Sequence, residues 1–351
     1  MNGKLLRLLL VAVLALCMGA VVACGDDDEE SSDSGGAAAT AEPEKKVKIG
    51  LVTDIGGLND RGFNALAYKA LKQAESELGA EIRAISSKSN ADYVPNLSTL
   101  ARQQFDLIVA NGFLMGEATE KVANSSPNTQ FAIIDFPQAV MESKPKNVAG
   151  LVFKEAESGY LVGYMAGLYV KDEGGEQVIS AVGGQAVPAV NAFIAGYQAG
   201  ATAANPKVKV LYGFSEDFVD PAKCKELALN QIGEGSQVIF AAAGNCGLGA
   251  LDAAKQKKLQ GIGVDADQAY LGDHIMTSAT KKVDEAVFAA AQELSEGAFQ
   301  GGADKVFDAK SGGVGYGETN DVGAKYADKV DAVLEQISSG EITDIPIEPA
   351  K

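Results

Sequence analysis

Three aspartates stand where short apolar runs end: Asp54 after VKIGLVT, Asp135 after QFAII and Asp265 after LQGIGV. A carboxylate in such a place accepts hydrogen bonds from hydroxyl and amino groups. The turn after Asp54 adds Asn59, Asp60, Arg61, Phe63 and Asn64, which bring amides, charge and an aromatic ring. Other strand ends offer Asn111-Gly112-Phe113, Gly183-Gly184-Gln185, Gly213-Phe214-Ser215 and Gly244-Asn245-Cys246-Gly247. Polar groups and rings gathered in this way suit capture of a small, uncharged, polar molecule. Helix capping accounts for Asp60 and Asp220. It accounts poorly for Asp135, because Phe136-Pro137 follow and no helix starts at once.

The same strand ends hold no nucleophile–base pair, so no catalytic residue is assigned and an enzyme is the least favoured reading. Gly244-x-x-Gly247-x-Gly249 lacks the spacing G-x-G-x-x-G and does not follow the first strand, so no dinucleotide cofactor is expected. Neither a phosphate-binding G-x-x-x-x-G-K-[ST] nor a G-x-S-x-G elbow is present. His274 is the one histidine, and without a Cys/His cluster no metal site is expected. Cys224 and Cys246 are an even pair in the body of the chain and read as a disulfide, with two buried thiols as the alternative. Cys224 follows the strand VKVLYGF and Cys246 the strand SQVIFAAAG. Parallel neighbours would place both at one sheet edge, within bridging distance.

These residues need elements to position them. Ten short β-rich runs alternate with segments of helical period, from VKIGLVTD and GFNALAYKALKQAESELG, stopped by Gly79, to HIMTSA and KKVDEAVFAAAQELSEGAF. Such alternation indicates βαβ units around parallel sheets, and continuous apolar strands indicate sheets covered on both faces. The fold class is α/β, and at this length two doubly wound sheets are expected rather than one. Ligands of such sheets sit beyond the carboxyl ends of the strands, where the aspartates lie.

The amino terminus fixes the compartment. Lys4 and Arg7 precede the apolar run Leu8–Leu16, which is too short to span a bilayer and suits a signal-peptide core. Small residues lead into Cys24, so residues 1–23 read as a lipoprotein signal peptide and Cys24 as the lipid anchor. Residues 24–45 are acidic, then rich in Ser, Gly and Ala, and are expected to form a disordered tether. The chain is therefore expected on the outer face of a cell membrane, or on the periplasmic side. The formal charge is −17. Losing residues 1–23 removes two bases and no acid and takes it to −19. That field repels nucleic acids and phosphates at long range and favours a neutral or cationic ligand.

Taken in order, VTDIGGLNDRGFN, VANGF, AIIDF, FKEAESGYLVGYMAG, VGGQAVPAVNAFIAGYQAGA, AAAGNCGLGAL, IGVDADQ and TSATKKVDEAV resemble the basic membrane protein family of substrate-binding lipoproteins. That family includes the purine nucleoside receptors of ABC transporters. The resemblance runs from about Val47 to Gly301 and is looser after it. It implies a type I periplasmic-binding fold, with two lobes joined by a multi-strand hinge and a cleft between them. The expected lobes are 46–153 with 268–302, and 154–267 with 303–348.

The resemblance also implies a nucleoside ligand, a monomer, and partners in an ABC permease and its ATPase. Matched position by position, it assigns Asp54, Asn59, Phe63, Asn64, Asp135, Phe193, Gly244, Asp265 and Lys281 to the ligand. Phe63 and Phe193 would stack on the base. Asp54 and Asp135 would bond its edge, while Asp265 and Lys281 would hold the ribose hydroxyls. Three alternatives stay open: Phe193 as a core residue, Lys282 in place of Lys281, and Asp267 replacing or assisting Asp265. For function, another small solute (sugar, autoinducer or amide) and an exported sensor or adhesin stand beside the nucleoside receptor.

Overall fold

Strand β1 (Lys48–Thr53) is apolar and β-branched, and every residue after the first is buried. A strand of that composition lies inside a sheet with helices on both faces. It lies inside the first sheet, one strand from its edge, in the structure, a computed structural model that describes residues 46–350. The expected signal peptide, Cys24 and the tether lie outside the described residues.

After β1 come α1 (Phe63–Leu78), β2 (Glu81–Ser86), α2 (Tyr93–Arg102), β3 (Leu107–Asn111), α3 (Gly116–Ser125), β4 (Gln130–Ile134) and β5 (Val148–Phe153). Gly79 ends α1 in the left-handed conformation, φ 66°, which an L side chain resists. The second half runs α4 (Glu155–Glu173), β6 (Val178–Gly183), α5 (Pro188–Ala204), β7 (Lys209–Phe214), α6 (Pro221–Gly233), β8 (Ser236–Ala242), α7 (Gly244–Gln256), β9 (Gln260–Asp265) and β10 (Ile275–Lys281). It closes with α8 (Val283–Ser295), β11 (Ala303–Phe307), β12 (Val314–Tyr316) and α9 (Ala327–Ser339).

The first sheet has the order β11-β5-β4-β3-β1-β2 and the second β12-β10-β9-β8-β6-β7. Every pairing is parallel except that of β12 with β10. Two doubly wound α/β lobes are therefore present, and their division corrects the one expected. Residues 268–302 do not all belong to the first lobe, because β10 pairs with β9 and β12 in the second sheet. The later part of that stretch does belong there: α8 packs on α1, and Gly302 N donates to Val148 O at 2.7 Å. Residues 303–348 do not all belong to the second lobe, because β11 pairs with β5. All seven residues of β10 are buried, as fits an inner position, whereas the half-exposed β11 suits an edge.

The chain thus crosses between lobes after β5, after β10 and after β11. The crossings are tied together. Lys154 N donates to Phe307 O at 2.9 Å, and Lys282 N to Gly313 O at 2.9 Å. Lys154 Nζ lies 3.3 Å from Glu157 and 3.6 Å from Asp308.

In the second lobe the sulfurs of Cys224 on α6 and Cys246 on α7 are bonded, with Cα atoms 5.5 Å apart. The bond closes a loop with a sequence separation of 22. A loop of that length constrains the unfolded chain by about 3 kcal/mol. Urea unfolding of a Cys224→Ser/Cys246→Ser variant is expected to show a loss of that size, and reductant should have no further effect on it.

Candidate functional site

Because the strands of each sheet run parallel, their carboxyl ends share one edge, and the two edges face each other. The cleft between them has an empty volume of about 690 Å³, its mouth included. Asp54, Phe63, Asn64 and Asp135 line it from the first lobe; Phe193, Gly244, Asp265 and Lys281 line it from the second. Asn59 is exposed at the tip of its turn and does not line the cleft, which corrects its expected place. The turn is pinned from within: Asp60 accepts hydrogen bonds from the backbone N–H groups of Gly62, Asn64 and Ala65. Asp60 caps α1 as expected, and it also reaches the cleft wall.

Asp54 is held on one side only. Its Oδ1 accepts from the Tyr93 hydroxyl and, at 2.6 Å, from Ile55 N–H, whereas Oδ2 has no partner among the described residues. Burial raises its pKa, against the lowering pull of those two donors. Asn111 Nδ2 donates to Asn64 Oδ1 at 2.7 Å, which leaves the Asn64 amide nitrogen as a donor in the cleft.

The floor is an ion cluster. Lys281, 1% exposed, ends β10 with its Nζ 2.5 Å from Asp135 Oδ1 and 2.9 Å from Glu155 Oε1. That nitrogen also lies 5.2 Å from the Phe63 ring centre, 5.0 Å from Phe153 and 5.9 Å from Phe193. Burial alone would lower the ammonium's pKa; Asp135, Glu155 and Asp265 reverse this and carry it above the usual lysine range. Lys282 instead pairs with Glu285 at the surface, so Lys281 is the one that faces the cleft.

Asp265 has a different environment. It is 8% exposed, yet its carboxylate makes no hydrogen bond among the described residues. Burial pushes its pKa up to about 7, opposed by Lys281 and reinforced by Asp135, Asp60 and Glu155. Asp135 and Asp265 both sit in the left-handed region, at φ 68° and 62°. Non-glycine residues adopt that conformation rarely, and it costs about 1 kcal/mol or more where it is enforced. Here it turns both carboxylates off their strand ends and into the cleft. Asp267 accepts instead from the N–H groups of Ala269 and Glu318 and does not line the cleft.

Sequence reasoning missed Glu155 and Tyr93 behind the wall and Phe218 on it, and it named the strand ends of Phe113 and Asn245, which also line the wall, without assigning either residue to the ligand. Phe113 and Phe218 each follow a strand end, which was the available signal. Phe193 is 3% exposed, sits edge-on to Phe240 at 6.1 Å, and still reaches the cleft, so it serves core and wall together. The lobes also touch at the lip, where Gln268 Nε2 donates to Arg61 O at 3.2 Å.

Two parallel-sheet lobes, three crossings and a buried cleft built from both lobes define a solute-binding protein of the periplasmic-binding kind. Residues 46–345 match the Bmp family, described as PnrA-like ABC transporter substrate-binding proteins, and the chain belongs to that family. It is 31% identical to the ABC transporter nucleoside-binding protein BmpA of Lactococcus lactis, with 85% of this chain and 88% of that one covered. It is also 31% identical to an uncharacterised lipoprotein of Pyrococcus abyssi, over 97% and 83%. A solute-binding protein of an ABC transporter system from Aeropyrum pernix K1 has the same fold, with a TM-score of 0.78 at 27% identity, over 86% and 94%. Proteins of this class work with the permease and ATPase components of a transporter.

Proposed function

We propose that this chain is the nucleoside-binding lipoprotein of an ABC importer, anchored through Cys24 and acting as a monomer. The observation that carries the reading is Asp265: a nearly buried carboxylate with no hydrogen-bond donor among the described residues, beside Lys281 in a cleft that Phe63 and Phe193 also line. A ribose supplies two adjacent hydroxyls for that carboxylate, and a base supplies two flat faces for the rings. Each ring that stacks on a base contributes about 1–3 kcal/mol. Asp54 Oδ2 and the Asn64 amide are left for the base edge. The relative named as nucleoside-binding supports the same ligand, and the relative named as a lipoprotein supports the anchor.

The cleft and its floor hold Asp54, Asp60, Asp135, Glu155 and Asp265 against the single ammonium of Lys281. Nothing there would neutralise a phosphate, so nucleotides should be rejected. Titration calorimetry with adenosine, guanosine, inosine, uridine and ribose tests the proposal. Micromolar or tighter binding of at least one purine nucleoside, recovered unchanged, is expected. Failure of every nucleoside to bind more tightly than about 1 mM would overturn it.

A further inference from the structure

Glu155 is the first residue of α4, directly after the first crossing between the lobes. Its side chain is 7% exposed and stands behind Lys281 rather than among the residues that line the cleft. What it touches is Lys281, at 2.9 Å, on the same ammonium that Asp135 holds at 2.5 Å. Glu155 and Lys281 belong to the second lobe and Asp135 to the first, so one nitrogen joins the lobes. Asp265 faces the same ammonium, which makes three carboxylates around one positive charge.

Among the described residues no other cation offsets them. Asp60 adds a further negative charge facing Asp265, and Lys154 at the crossing is taken by Glu157 and Asp308. Of the elements that pack on α4, α5, β6 and β12 contain no charged residue, and α9 carries Asp328, Lys329, Asp331 and Glu335, whereas the charges that act on Glu155 are those of Lys281 and Asp135.

We propose that Glu155 is a positioning residue for Lys281, and that it takes up a proton as the lobes close on their ligand. The proposal rests on the nucleoside reading for the identity of the ligand but not for the closure itself. Closing carries Asp135 against Glu155 and Asp265 and strips water from all three. Asp265 must stay ionised to accept the ligand's hydroxyls, and Asp135 is already held tightest by the ammonium. Glu155, behind Lys281, is where the surplus negative charge is relieved. Its pKa follows that logic, pushed up to about 7 by burial and by Asp135, against the pull of Lys281. A group that binds its proton more tightly in the closed form favours closure at low pH. That advantage is lost as pH rises through about 7.

The test is calorimetry with the best-bound nucleoside at pH 7 in phosphate and in Tris, then across pH 6–8. The wild type should take up about 0.3–0.8 of a proton, and its affinity should fall about 3- to 10-fold from pH 6 to pH 8. Glu155→Gln, a permanently neutral stand-in that can still accept from Lys281, should lose that uptake, and its affinity should no longer fall from pH 6 to pH 8. Glu155→Asp should keep the slope. A wild type with no difference between the buffers overturns the proposal without any variant. So does a Glu155→Gln protein with the wild-type slope, because Glu155 would then be structural only. Small-angle scattering of the empty protein gives a second readout that needs no nucleoside. The wild type should grow more compact from pH 8 to pH 6, and Glu155→Gln should not. A missing nucleoside and a missing proton switch are thereby told apart.

Discussion

Replacing Asp265 by Asn will weaken purine nucleoside binding by about 100- to 1,000-fold, while free bases lose no more than about threefold. The magnitude follows from two hydrogen bonds to a charged acceptor, each worth about 1.5–3 kcal/mol in a site closed to water. Asn is the informative change for a backbone reason. Residue 265 sits at φ 62°, a conformation that Asn tolerates and Ala does not, so Asp265→Ala would mix strain with lost recognition. The variant should also be no less stable than the wild type at pH 8. The folded protein raises the Asp265 pKa to about 7, so above that pH the ionised carboxylate costs stability, and Asn removes the cost. Affinity lost without stability lost is the signature of a group kept for a ligand. Calorimetry against nucleoside, free base and ribose, paired with thermal unfolding, reads both. Equal losses for nucleoside and base would remove Asp265 from the ribose.

Much of this site was legible because the residues that carry it sit at ends of elements that the hydropathy pattern marks clearly. Asp54, Asp135 and Asp265 each close an apolar run, and parallel strands bring such ends to one edge. Ten strands were expected from pattern alone, and β1 to β10 occupy those runs. Sheet membership was not legible. A buried strand such as β10 carries the same apolar signature in either lobe, and its neighbours β9 and β12 are chosen by long-range packing that no local window contains. β11 and β12 were missed for another reason. They have five and three residues, and β11 is half-exposed, so neither makes a run that a period can reveal.

Glu155 shows the same limit for chemistry. At the head of α4 it looks like an ordinary acidic first-turn residue favoured by the helix dipole. Only the fold brings Lys281, 126 positions further along the chain, to within 2.9 Å. Asn59 shows the reverse. Its place beside Asp54 and Phe63 suggested the cleft, yet it caps the outside of a turn whose inner face is organised by Asp60.

The scaffold under Phe193 and Glu155 should be the part of the molecule least tolerant of added volume, and replacing Gly163 by Ala will cost about 3 kcal/mol or more. Helices α4 and α5 meet along a seam of glycines. A Cβ at Gly159 would stand 2.2 Å from Phe193 O, at Gly163 2.2 Å from Tyr197 O, at Gly196 2.1 Å from Ala156 O and at Gly200 2.0 Å from Tyr160 O. Each obstacle is backbone, which cannot rotate away as a side chain can. One methyl at Gly163 must therefore push the helices apart along the seam and loosen a core already packed to the density of a crystal. Gly233→Ala is the matched control: the same change, also in a helix, with nothing within 4 Å of the new atom. It should stabilise by about 0.5–1 kcal/mol, through the lost freedom of the unfolded chain. Urea unfolding of the two variants side by side separates packing from helix propensity, because propensity predicts a gain in both. Because α5 carries Phe193 and α4 carries Glu155, any Gly163→Ala protein that does fold should also bind its nucleoside more weakly. Wild-type stability in that variant would show that the seam is looser than the backbone distances require.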